Sequence, residues 1–296
     1  MLLDENGLPK WGGAELPTIA AKNISLIGSN SAFTGGKISY NVGGGTIELG
    51  VVWSTNQNPR LTDNKVVGVL DLDSFEIRLE GLNANTTYYV WAYASINQIT
   101  NYGDEVSFTT ISSISDIDGN SYEVVAIGEQ FWMTGNLKVG NYRDGVEIPS
   151  AYVRYPDNDP NNADEYGRLY NGSALTGDNL CPTGWHVPTR TDWNILSTSL
   201  GGYEVAGGKL KATESTYYGN DGVGTDDFGF KAIPAGYNYR GSAFYQFGTQ
   251  GYWWSSTSSV SGSNYYRILD SSDQMSEGGG ASNNLQDYLS IRCVKN

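Results

Sequence analysis

The stretch Thr86-Thr87-Tyr88-Tyr89-Val90-Trp91-Ala92-Tyr93-Ala94 constrains the first third of this chain more than any other. β-Branched and aromatic side chains suit a pleated surface. Alternation sends Tyr88, Val90, Ala92 and Ala94 to one face and Tyr89, Trp91 and Tyr93 to the other, so the smaller face is expected to point into a core. From Leu16 to Thr110, similar short runs alternate with turn clusters such as Gly43-Gly44-Gly45 and Asn56-Gln57-Asn58-Pro59, the spacing of an all-β sandwich. With Gly 38, Tyr 21, Trp 8 and only 17% charged residues, composition favours twisted strands joined by turns and speaks against a helical bundle. A length of 296 residues corresponds to roughly two domains.

Charge narrows the partners. Lys plus Arg is 18 against Asp plus Glu 32, a net −14, whereas a nucleic-acid backbone is held by cationic contacts. Nucleic acid is therefore not an expected partner. The acids are spread, with 6 basic and 11 acidic groups before residue 114, which speaks for solubility rather than for a site. No apolar run approaches the ~18 to 20 residues of a membrane span, so no membrane insertion is expected. Met1-Leu2-Leu3-Asp4-Glu5-Asn6-Gly7 carries acids where a signal peptide needs a basic region. Either the chain is not exported by that route or an export segment is missing from this sequence; a phage structural protein would also lack one. Two cysteines without a CxxC and a single His186 leave no cluster for a thiolate-imidazole zinc site. Cys181 and Cys293 leave open one disulfide, worth roughly 4 to 5 kcal/mol on the chain-entropy account and suited to an extracellular or virion surface.

Gly81-Leu82-Asn83-Ala84-Asn85-Thr86-Thr87-Tyr88 resembles the corner of a fibronectin type III module, where a Leu and a following Tyr pack the turn into the penultimate strand. Val106-Ser107-Phe108-Thr109-Thr110 resembles that module's last strand and Gly50-Val51-Val52-Trp53-Ser54-Thr55 its buried-Trp strand. The resemblance implies a spacer or presentation module. The face Tyr89, Trp91, Tyr93 is open to two readings, a carbohydrate platform or, more simply, sheet packing or an interdomain contact. Ile111-Ser112-Ser113-Ile114-Ser115, Ser-rich and without Pro, reads as a linker.

Further on come Gly128-Glu129-Gln130-Phe131-Trp132-Met133, Tyr166-Gly167-Arg168-Leu169-Tyr170-Asn171, Leu180-Cys181-Pro182-Thr183-Gly184-Trp185-His186-Val187-Pro188-Thr189, Gly251-Tyr252-Trp253-Trp254-Ser255-Ser256-Thr257 and Ile291-Arg292-Cys293-Val294. In this order they resemble the Fibrobacter succinogenes major paralogous domain. That family is similar to the C-type lectin-like fold, which also holds formylglycine-generating-enzyme-like proteins and the variable proteins of diversity-generating retroelements. In that fold a cysteine near the first helix pairs with one in the last strand, which implies Cys181 with Cys293. Independently, Pro188 ends a strand, Thr189 can cap, and Trp193, Leu196 and Leu200 recur at helical spacing until Gly201-Gly202 stops the helix. The expected fold class is two domains, an all-β immunoglobulin/fibronectin III-like sandwich followed by an α+β C-type lectin-like domain. Their bounds are a leader over 1–15, the sandwich over 16–110, the linker over 111–115 and the second domain over 116–296.

His186 has no GxSxG serine to serve, so it reads as structural. The formylglycine-generating relatives need a pair of reactive cysteines near the C-terminus, where this chain has Cys293 alone. Tyr203-Glu204-Val205-Ala206-Gly207-Gly208-Lys209-Leu210 fails as a phosphate loop, with Tyr at the first Gly position and Leu for Ser or Thr. The Glu-Pro-Asn, Gln-Pro-Asp and Trp-Asn-Asp strings of calcium-dependent lectins do not occur. Asp157, Asp159 and Asp164 offer alternate oxygens for calcium in an acidic loop, though a solvated turn is the plainer reading. No cofactor is expected.

The strongest functional signal is late. Residues 258–288 hold 8 Ser, 4 Gly, 3 Asn, 3 Asp and 3 Tyr, and Tyr with Ser, Gly and Asn is the vocabulary of antibody-like loops. The same words fill Gly236-Tyr237-Asn238-Tyr239-Arg240-Gly241-Ser242-Ala243-Phe244-Tyr245. Both stretches resemble the variable region of retroelement-diversified proteins, where Asn, Tyr, Ser and Asp are enriched at solvent-facing positions. By that resemblance the ligand-binding residues are Tyr237, Tyr239, Tyr245, Ser258, Asn264, Tyr265, Tyr266, Asp270, Ser272, Asp273, Asn283, Asn284 and Tyr288. The plain alternative is polar turn sequence. The expected protein is a non-catalytic recognition protein of a cell or virion surface, phage receptor-binding or adhesin in type, whose partner is a surface glycan or protein receptor. A pilus or appendage subunit is the alternative, and a two-carboxylate glycan hydrolase a more distant one.

Overall fold

In a computed structural model, the structure describes residues 2–3, 9–11, 14–15, 17–39, 47–96, 99–219, 222, 224–260, 262–279 and 284–295. The turn expected at Gly43-Gly44-Gly45 lies outside them. The chain divides into two compact units, Met1–Ser112 and Ser113–Asn296.

The first unit is built of strands β1 (Leu2–Leu3), β2 (Pro9–Trp11), β3 (Ala14–Glu15), β4 (Thr18–Ala21), β5 (Ala32–Ser39), β6 (Ile47–Ser54), β7 (Asn64–Val67), β8 (Ser74–Leu79), β9 (Thr87–Ile96), β10 (Ile99–Tyr102) and β11 (Val106–Thr109). The segment read as a leader forms the antiparallel sheet β1-β2-β3. Sheet β4-β5-β8 and a five-stranded sheet centred on β6 and β9 share one core. Alternation along β9 buries Tyr88, Val90, Ala92 and Ala94 against Leu49, Val51 and Trp53 of β6 and Phe75, Ile77 and Leu79 of β8. The corner before β9 is closed by a side chain: the Asn83 N–H donates to the Tyr88 hydroxyl at 2.9 Å. The outer face is no free platform. Trp91 packs on Tyr102 at 5.1 Å under the Arg60 guanidinium at 4.3 Å, and Tyr93 is buried with its hydroxyl donating to Glu48 at 2.9 Å.

The second unit starts inside the expected linker. Strand β12 (Ile114–Ser115) pairs with β13 (Ser121–Tyr122) around Asp116, whose carboxylate accepts from the N–H groups of Asp118 and Asn120 and from the Tyr122 hydroxyl. Ile114 and Ser115 are thus paired backbone rather than free linker, because an Asx-type turn follows them. The remaining elements are β14 (Val124–Ile127), β15 (Gln130–Met133), β16 (Val153–Arg154), α1 (Ala163–Tyr166), β17 (Leu169–Asn171), β18 (Trp185–His186), α2 (Arg190–Ser199), α3 (Tyr203–Leu210), β19 (Tyr237–Tyr239), β20 (Ala243–Tyr245), β21 (Gly251–Ser258), β22 (Asn264–Leu269), β23 (Met275–Gly278), β24 (Tyr288–Leu289) and β25 (Val294–Lys295). They form sheets β14-β15-β25-β18, β16-β17-β24-β19-β20 and β21-β22-β23. Parallel bridges Gly236–Gly251 and Trp253–Ser290 carry the second sheet onto the third.

Helix α2 begins where the sequence places it. Thr189 is the N-cap, and Thr189 and Asp192 bond reciprocally as a capping box. Its buried residue Trp193 meets Trp132 at 4.8 Å, and Leu196 and Leu200 join the same core. Arg292 is buried with them; its Nη2 donates to Asn136 Oδ1 at 2.7 Å, and burial pulls its pKa down to about 9. Cys181 and Cys293 are disulfide-bonded with Cα atoms 6.0 Å apart, as the resemblance implied. Helix α3, in contrast, occupies the segment that composition left without a structure. Its Gly207 and Gly208 permit a close approach: a Cβ at Gly207 would lie 2.3 Å from the Gln274 carbonyl oxygen, and the Gly208 N–H donates to the Asp273 carbonyl at 3.1 Å.

Candidate functional site

One outer surface of the second unit gathers tyrosines from four consecutive strands. Tyr237 (β19) stacks on Tyr245 (β20) at 5.4 Å between ring centroids, meets Tyr252 (β21) at 4.8 Å, and Tyr252 meets Tyr266 (β22) at 6.1 Å. The spacing is close to that of neighbouring strands: β19–β20 and β21–β22 each set a pair, and the Gly236–Gly251 bridge brings the two sheets together. Alternation explains the direction: Asn238, between Tyr237 and Tyr239, and Trp253, after Tyr252, are buried. Tyr266 packs edge-on against buried Trp254 at 6.0 Å, and its ring passes so near Gly278 that a Cβ there would lie 2.3 Å away. Tyr239 and Tyr245 are the most open, 42% and 47% exposed, and the Arg240 guanidinium lies 5.1 Å over the Tyr239 ring.

The Asp287 carboxylate stands beside this row, and the Asp270 charge also reaches Tyr252. Asp287 accepts from the Arg240 N–H at 3.2 Å, and among the described residues it has no ion pair. Burial raises its pKa, against the opposing pull of that N–H and of the Arg240 charge. The tyrosines respond in kind. Burial, then the Asp287 charge, raises Tyr237 and Tyr266; burial, then the neighbouring phenols, pushes Tyr252 up to about 12. All remain neutral phenols at physiological pH, able to donate and accept hydrogen bonds.

The residues expected from sequence do not form one surface. Tyr237, Tyr239, Tyr245 and Tyr266 come together on this surface, joined by Tyr252 and Asp287, which the composition reading missed. Asp270, Ser272 and Asp273 form a loop docked on α3. Asp270 accepts from the Ser272 N–H at 2.8 Å, and Lys211 Nζ, fully buried, donates to the carbonyls of Asp270 and Ser272 at 3.1 and 2.8 Å. Tyr265, on the opposite face from Tyr266, lies under Arg190 at 4.5 Å, and Ser258 donates to Asn264 at 2.8 Å.

Three expected contact residues are instead scaffold: Asn264, Asn284 and Tyr288 are only 5%, 8% and 5% exposed. Asn284 serves as a strand edge, accepting from the Asn264 N–H at 3.1 Å and donating to its carbonyl at 2.7 Å. The Tyr288 hydroxyl donates to the Ala151 carbonyl at 2.5 Å. Asn283 lies outside the described residues.

The acidic loop does not converge on a cation. Asp159 caps a short turn by accepting from the Asn161 N–H at 2.9 Å, and Asp164 pairs with Lys138 at 3.0 Å. Among the described residues no group of three or more His, Cys, Asp or Glu side chains is placed to hold a metal ion. Asp157, Asp159 and Asp164, the calcium candidates, are thus not brought together as a cluster of three carboxylates. His186 bonds to Asp192 at 3.0 Å beneath the start of α2, a structural position. A polar cleft of about 670 Å³ is lined by Asp118, Glu147, Arg154, Tyr155 and Arg168. Asp118 is not a proton donor there: burial would raise it, but bonds from Asn141 and Gly140 and the Arg168 charge hold it below the usual range.

Residues 125–295 match the Fibrobacter succinogenes major domain. The chain belongs to this family. The match spans every strand of the tyrosine row together with the disulfide. No curated protein sequence matches the chain. Among solved structures, the sensor domain of the anti-sigma factor RsgI4 of Pseudobacteroides cellulosolvens is similar at 20% identity, covering 32% of this chain and 95% of that one with a TM-score of 0.26. A fibronectin type III domain of the human KIAA0970 protein is similar at 19% identity, covering 35% of this chain and 79% of that one with a TM-score of 0.25. No helix among the described residues is long and apolar enough to cross a membrane.

Proposed function

We propose that this member of the Fibrobacter succinogenes major domain family is a non-catalytic recognition protein. Its second unit, read as a C-type lectin-like domain, binds a cell-surface receptor or glycan, and its first unit, read as a fibronectin III-like module, presents it. The observation that carries the reading is the row Tyr237, Tyr245, Tyr252, Tyr266, held on a sheet with open Tyr239 beside it. Tyrosine presents a large contact area at small entropic cost and keeps a hydroxyl for hydrogen bonding. Rigid strands hold that area in place, so little ordering is needed on binding. The setting is an extracellular or virion surface, in a phage receptor-binding protein or an adhesin, and the exposed row is the part open to retroelement diversification.

The experiment is a screen of the full chain, beside a Tyr239→Ser/Tyr245→Ser variant, on a glycan array and a panel of displayed surface proteins. Loss of each tyrosine at the centre of an interface costs about 1 to 2 kcal/mol. A ligand captured by the native chain and bound roughly tenfold or more weakly by the variant supports recognition at this surface. A ligand bound equally by both removes the surface from the function, and concentration-dependent polymerisation with no capture favours the appendage subunit instead.

A further inference from the structure

The tyrosine row also says what kind of group it receives. Four electron-rich rings stand in sequence across β20, β19, β21 and β22, packed on one another at 4.8 to 6.1 Å, and their summed quadrupoles favour a cation beside them. Asp287 stands at the same surface. It precedes Tyr288, whose strand partner is Asn238; both of those are buried, which leaves Asp287 on the side of Tyr237 and Tyr239. Among the described residues, the hydrogen bond its carboxylate accepts comes from a backbone N–H and not from a cation. The Arg240 guanidinium, which lies over the Tyr239 ring, acts on Asp287 through its charge but makes no ion pair with it. A half-buried carboxylate with a single donor has lost hydration that an incoming cation can replace. The net charge of −14 draws cations in and repels anions.

We propose that the ligand group lodged on this row is a cationic amine, a lysine side chain of a protein receptor, with its ammonium paired to Asp287 and its methylenes laid against Tyr237, Tyr252 and Tyr266. The proposal rests on recognition at this surface and names the chemistry of the partner. A neutral glycan would use the rings for stacking but would bring no cation to Asp287. The burial that lifts the Asp287 pKa is reversed by such a partner, since an opposite charge favours the ionised carboxylate.

The test uses the full chain and three small probes followed by the ring signals of the tyrosines in solution NMR: Nα-acetyl-lysine methylamide, tetramethylammonium and, as a neutral shape match, tert-butanol. The expected result is saturable shifts at Tyr237, Tyr252 and Tyr266 with both cations, none with tert-butanol, and binding about tenfold weaker in Asp287→Asn. The Asn carbonyl still accepts from the Arg240 N–H, so that variant keeps the turn. Tyr252→Leu, which retains an apolar side chain but no ring, is expected to weaken the cations as well. Absence of saturable shifts, equal shifts with tert-butanol, or unchanged binding in Asp287→Asn overturns the proposal. A receptor or glycan that needs Tyr239 and Tyr245 but is indifferent to Asp287→Asn overturns this inference alone and leaves recognition at the surface standing.

Discussion

Replacing Asp192 by Ala is expected to destabilise the second unit in a way that depends on pH. One carboxylate oxygen, Oδ2, accepts from the Thr189 N–H at 2.8 Å, the Thr189 hydroxyl at 2.6 Å and His186 Nε2 at 3.0 Å. Burial alone would raise its pKa, but these donors outweigh it and hold the group at about 2 against an ordinary 3.8. At about 1.4 kcal/mol per unit, that difference is worth roughly 2 kcal/mol, and the side chain is mostly shielded from solvent. Because the folded pKa is the lower one, the unfolded chain takes up the proton first. The contribution is complete above about pH 4 and is lost as pH falls towards 2. The Thr189 N–H bond of the capping box is part of this energy, and its other half, from the Asp192 N–H to the Thr189 hydroxyl, is kept in the variant. Asp192→Ala should therefore cost roughly 2 kcal/mol at pH 6, a fall in Tm of about 4 to 8 °C for a unit of this size. Urea melts followed by tryptophan fluorescence at pH 6, 4 and 2.5 measure the gap between native and variant chains. A gap as large at pH 2.5 as at pH 6 would refute the assignment of the energy to an ionised Asp192.

Reduction of Cys181–Cys293, separated by 112 residues, releases a long loop and should lower the stability of the second unit by about 4 to 5 kcal/mol while the transition of the first unit stays put; denaturation with and without reductant checks it. Gly207→Ala should destabilise despite the better helix propensity of Ala, because its Cβ meets the Gln274 carbonyl, and a stabilised variant in a thermal melt would contradict that packing. Tyr88→Phe removes the acceptor of the Asn83 N–H and should cost about 1 to 2 kcal/mol in the first unit alone, measured by urea denaturation.

Strand β9 and helix α2 were legible because local signals agreed with tertiary packing. Tyr88, Val90, Ala92 and Ala94 alternate into the core, and Thr189 with Asp192 spells a helix start. Helix α3 was not legible. Its Gly207-Gly208 pair argues against a helix on propensity, and only the approach of Asp273 and Gln274 makes small residues necessary there. The binding surface was half legible for a related reason. Composition identifies a stretch rich in Tyr, Asn and Ser but cannot tell a side chain that faces solvent from one that replaces a strand edge, as Asn284 does for Asn264. Tyr252 was hidden by its two tryptophan neighbours, and alternation does not separate it from them, because Trp254, of the same parity, is as buried as Trp253. Asp287 had none, since its place beside Arg240 depends on how β19 meets β24.

The central claim is that the outer tyrosine surface of the second unit is where this protein meets its partner. The most direct measurement is flow cytometry of the fluorescently labelled full chain on intact cells from its source community, with native chain beside Tyr239→Ser/Tyr245→Ser. The account predicts saturable binding that falls about tenfold or more in the variant while its thermal melt is unchanged. Equal binding by two equally folded chains would contradict it.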